Sequence, residues 1–72
     1  MDVTWVNIQY DKDNKKMYDS MSDKSIERIS IGSETIKIYY NQESEKHETY
    51  VKIILINNIT GYEYPIVRGR GI

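Results

Sequence analysis

The only side chain here with an ordinary pKa near neutrality is His47, and it sits in the run "EKHE". If that segment is extended, Glu43, Glu45 and His47 fall on one side, a set that would hold a transition metal. The surrounding stretch "NQESEKHE", 41 to 48, is polar throughout and reads instead as a loop tip whose histidine faces water. Asp11 and Asp13 in "DKDN" are spaced as in a calcium loop. Such a loop needs further oxygen ligands, a glycine and a distal glutamate at fixed offsets, and positions 15 and 16 are lysines. "DKDN" is therefore expected to be a hairpin turn. Nucleophilic catalysis requires an activated nucleophile, a base and an orienting group. With no cysteine, one loop histidine and no phosphate-cradling glycine pattern, the chain is not expected to be an enzyme, nor to carry a metal or cofactor.

Two other groups of residues point to binding. The chain ends "IVRGRGI", where glycines let the backbone approach a phosphate and the guanidinium forks of Arg68 and Arg70 match its oxygens. Beyond Glu48 the only acidic residue is Glu63, against Lys52, Arg68 and Arg70. These three cations, with aromatic rings to stack bases, would suit single-stranded nucleic acid or a nucleotide. The net charge of −1 opposes that use, since a basic domain is the usual footprint of a nucleic-acid binder. The second group is aromatic: Trp5, Tyr39, Tyr62 and Tyr64 are expected away from the core or at its margin. Rings with a polar tip on the outward face of a sheet give rigid contact area of the type that dominates protein interfaces.

Strands must position these residues. Alanine and phenylalanine are absent and Leu55 is the single leucine, whereas isoleucine and tyrosine, which suit pleated half-buried surfaces, are abundant. Alternation predicts strands at 3 to 10, with Val6, Ile8 and Tyr10 on one face and Val3 and Trp5 on the other, and at 15 to 21. Further strands are expected at 26 to 31 and 34 to 40, joined by a tight turn at Gly32-Ser33, with at most a short helical turn near 22 to 28. "TYVKIILIN", 49 to 57, is apolar on both faces after Lys52 and reads as a central or sandwiched strand. A last strand, 62 to 67, contains Pro65, which puts it at an edge or ends its pairing there. The fold class is all-β: an antiparallel meander of five or six strands, closed as a curved sheet or small barrel of SH3-like or OB-like scale.

Seventy-two residues make one domain, with 68 to 72 as a tail. A chain so short buries only about 60% of its unfolded surface. Disulfides are excluded and a structural metal nearly so, which leaves good packing or self-association, a homodimer or larger assembly being as expected as a monomer. No signal segment or membrane span is recognisable, and a soluble cytoplasmic protein is the default. The expected function is non-catalytic: a protein-binding module acting through an aromatic sheet face or an edge strand. Inhibitors, adaptors and regulators are of this kind, including those carried by phages and mobile elements. Nucleic-acid or nucleotide binding is the alternative.

Overall fold

Period-two alternation becomes strand almost everywhere the sequence carries it. The computed structural model describes residues 1–41 and 49–66. In chain order the strands are β1 (Asp2–Val3), β2 (Trp5–Asp11), β3 (Asn14–Asp19), β4 (Ile26–Ile31), β5 (Thr35–Asn41), β6 (Thr49–Leu55) and β7 (Gly61–Glu63). The only helical element among the described residues is a 3-10 turn, Ile56–Asn58, which overlaps the end of the strand expected at 49 to 57. Residues 22 to 25 form turns rather than a helix. The Asp19 and Asp23 carboxylates there accept backbone N–H bonds from Met21 and Ser25, at 2.9 and 3.0 Å. The "DKDN" turn is closed in the same way, with Asp13 N–H donating to Asp11 Oδ1 at 2.8 Å. No described helix is long and apolar enough to cross a membrane.

Every pairing among the described residues is antiparallel, as expected for an all-β meander, but the strands divide between two sheets and those residues close no barrel. One sheet runs β1-β4-β5-β6 and the other β3-β2-β7. The amino-terminal segment belongs to both. Thr4 interrupts it, so that β1 pairs with β4 while β2 pairs with β3 and β7. That interruption also shifts the alternation. Val3 and Val6 are both buried although three residues apart, which corrects the expectation that Val3 faces away. Ser20 N–H and Oγ both bond the Thr4 carbonyl, at 2.9 and 2.8 Å, fixing the bend.

The inner faces share one core of Val3, Val6, Ile8, Tyr18, Ile26, Ile29, Ile31, Ile36, Ile38 and Ile54. Its centre is a ladder row in which Ile29 pairs with Ile38, both fully buried. β-branched side chains lose little freedom in strands, so packing them there costs less order than in a helix. The hairpin between β4 and β5 is closed by Gly32 N–H donating to the Thr35 carbonyl at 2.8 Å, which puts Ser33 and Glu34 at its tip, one residue later than expected.

The largest departure concerns β6. Among the described strands it is not central; it forms one edge of its sheet. Runs that are apolar on both faces usually signal cover on both sides, but two layers leave no third to cover this one. After β6 the 3-10 turn carries the chain to the other sheet, where β7 pairs with β2 and stops before Pro65.

Ile38→Ala should destabilise the fold by about 2–5 kcal/mol, because the site lies between two paired strands and cannot collapse onto the void. Urea unfolding followed by Trp5 fluorescence measures this.

Candidate protein-interaction surface

The residues expected to bind a partner are not gathered into one patch. Trp5 is on the side of β2 opposite Val6 and Ile8, and so faces away from the core on the β3-β2-β7 sheet. Tyr39 faces away from the core on the other sheet, and the two outer faces point in opposite directions. Tyr39 is also half-covered: the Arg28 guanidinium carbon lies 4.3 Å from its ring centroid, and Arg28 Nε is 3.8 Å from Asp2 Oδ1. Tyr62 and Tyr64 do come together, their rings stacked with centroids 5.8 Å apart. Tyr62 packs against the core, however, and only Tyr64 is exposed.

Of the proposed phosphate contacts, Arg68 and Arg70 lie outside the described residues, as do Glu43, Glu45 and His47. Lys52 is exposed, but its ammonium reaches across from β6 to lie 5.5 Å from the Tyr18 ring centroid. Lys16 approaches the same ring at 5.1 Å. This end of the core is closed by tyrosines. Tyr10 and Tyr18 hydroxyls are 2.9 Å apart, and Tyr40 stacks on Tyr50 at 4.9 Å. Burial, reinforced by the Tyr18 hydrogen bond, pushes Tyr10 up to about 12, and burial also raises Tyr40. Such phenols hold their protons; they serve as packing, with the Tyr10 and Tyr18 hydroxyls satisfying each other.

The surface that sequence reasoning missed is the outer side of β6. Ile54 on this strand faces the core, and by alternation Val51, Ile53 and Leu55 face out, at 39%, 54% and 50% exposure. The β5–β6 register sets Tyr39 opposite Val51, Lys37 opposite Ile53 and Thr35 opposite Leu55. The result is an apolar column along a sheet edge with one lysine beside its middle. Among the described residues Lys37 has no carboxylate within ion-pairing distance. The signal was present in "TYVKIILIN" as an uninterrupted odd-numbered apolar series, but sequence could not say which side of the strand would lack cover.

The same three residues also point their backbones outward. Ile56 N–H donates to the Glu34 carbonyl at 3.0 Å, which marks the start of the β5–β6 ladder. Hydrogen-bonded and non-bonded pairs alternate along antiparallel strands. Ile54, Lys52 and Tyr50 therefore turn their backbone groups to β5, while Val51, Ile53 and Leu55 turn theirs to the open edge. The Gly32–Thr35 bond gives the same parity independently, since it commits the odd residues of β5 to β4. No described strand pairs with this edge of β6.

No protein-family model matches the chain, and no curated protein or solved structure is significantly similar to it.

The tyrosine cluster carries a pH prediction. Unfolded, Tyr10 loses its proton near 10; folded, at about 12. Its contribution is thus complete below pH 10 and lost as pH climbs from 10 toward 12. Tyr10→Phe should show a shallower fall in stability over that window than the unmodified chain, measured by urea unfolding at stepped pH. Equal slopes would remove the hydroxyl pair as a source of alkaline sensitivity.

Proposed function

We propose that this chain is a non-catalytic protein-binding module whose contact surface is the outer face of the β1-β4-β5-β6 sheet. It acts by occupying a partner, as an inhibitor, adaptor or regulator does. The observation that carries this is the uncovered apolar column Val51, Ile53 and Leu55. In so small a domain three large aliphatic side chains in one exposed row oppose solubility unless something covers them, and contiguous patches of this kind mark association sites. Charge defines the partner further. Lys37 beside Ile53 calls for a carboxylate, so the partner segment is apolar with an acidic residue flanking its centre. Nucleic-acid binding has less support, because Lys52 already lies over a tyrosine ring on the core side of β6.

Affinity purification from the source cell, followed by photo-crosslinking from position 37, identifies and localises the partner. Replacing Val51 and Leu55 together by threonine keeps strand propensity and removes apolar area. This pair of changes should weaken the complex at least tenfold, the usual effect of losing interface anchors. Lys37→Glu should weaken it too, and Trp5→Ala, on the opposite sheet, should not. A partner lost with Trp5 and retained by the β6 and Lys37 variants overturns the assignment. Salt-sensitive binding of labelled oligonucleotides that vanishes when Arg68 and Arg70 become alanine would replace it with the nucleic-acid function.

A further inference from the structure

The face of β6 and its edge are separate surfaces, and the edge has its own logic. An unpaired strand edge is a template for another strand, and natural proteins guard such edges with charge, proline or shortness. Three of the four described edges here are guarded. β3 carries Lys15, Lys16 and Asp19; β7 has three residues and is followed by Pro65; β1 has two. β6 has seven residues and one charge, Lys52, whose backbone groups are turned to β5; the four that face the edge, Thr49, Val51, Ile53 and Leu55, are uncharged.

We infer that β6 is the subunit contact of a two-fold symmetric dimer, in which two copies pair β6 to β6 in antiparallel fashion with Ile53 opposite the second copy's Ile53. Hydrogen-bond parity narrows the possible partners in register. Outward-facing groups sit on odd residues, so only registers that set odd opposite odd satisfy both backbones. Such registers keep outer side chains opposite outer side chains, so the strand is compatible with itself.

Charge and strand length then choose among them. A register centred on Lys52 sets the two lysines directly opposite each other, as a close like-charge pair. One centred on Ile54 runs past Leu55 into the 3-10 turn at Ile56–Asn58, where no strand continues. Centring on Val51 leaves the outward groups of Leu55 without a partner in the described strand. Centring on Ile53 keeps the lysines apart and pairs residues 51 to 55 of both copies, with only Thr49 and Tyr50 opposite the second copy's 3-10 turn. It places Val51 opposite the second copy's Leu55 and Lys52 opposite its Ile54, with the bonding groups of Val51, Ile53 and Leu55 all used on both copies. The strand is complementary to itself in pattern, hydrogen bonding and charge, which is what an isologous contact requires. A chain of this length with no cysteine to cross-link it is also of the class that gains stability from association.

The dimer leaves the outer face open and doubles it. Two apolar columns become one continuous patch with a Lys37 on each side, so the inference extends the proposed partner surface without depending on it.

Analytical ultracentrifugation of the full chain over a concentration series tests it. The unmodified chain should dimerise reversibly. Ile53→Lys and Ile53→Glu should each weaken the dimer at least tenfold, because each sets like charges opposite one another at the axis. Mixing the two should restore a one-to-one heterodimer, since position 53 faces itself. Ile53→Pro should also be monomeric, as it removes an edge-facing N–H while leaving the β5 ladder intact. Circular dichroism verifies that each variant is folded. A chain that stays monomeric at every concentration overturns the dimer. So does a Lys/Glu mixture that stays monomeric while the unmodified chain associates. Lys37→Glu separates the two proposals: it should leave the dimer unchanged and weaken only the partner complex.

Discussion

Everything in this fold depends on the bend at Thr4. One continuous amino-terminal segment supplies an edge to one sheet and the central strand of the other, and the Ser20 bonds to the Thr4 carbonyl hold it in that position. The bend turns both Val3 and Val6 inward, so that a single segment reaches the core from both layers. Without it β4 would lose its β1 partner and the core would lose Val3.

Two layers around ten core side chains are enough to bury the isoleucines of β4 and β5 and Ile54 of β6. They are not enough to cover the other face of β6. The exposed column is thus a consequence of the number of layers and of an apolar strand placed at the end of its sheet. At the far end of the core the solution is different. Large polar-tipped rings close the gap, with the Tyr10 and Tyr18 hydroxyls paired and two ammonium groups resting on the Tyr18 ring; these are not the aromatics expected to bind a partner.

Much of the architecture was legible because the isoleucines alternate so regularly. The strand at 26 to 31, the turn at "DKDN" and the edge position of the segment before Pro65 all follow from local chemistry. The surface was less legible. Trp5 and Tyr39 do face outward, but on opposite sheets, and an arginine covers Tyr39; neither fact leaves a trace in residue order. The β6 sequence reads as a central or sandwiched strand because cover on both sides is the common fate of such a run, whereas its place at the end of its sheet is set by pairing with distant segments.

By itself, then, the amino-acid order determined that this chain forms antiparallel strands, roughly where they begin and end, and which side of most of them is buried. Those properties are local: alternation, turn chemistry and β-branching act within a few residues. Only the tertiary structure decided which strand became the edge, which apolar side chains stayed in water, and which backbone groups remained unpaired. Each of these depends on pairing between segments distant in the chain, and the same alternation is compatible with several such pairings.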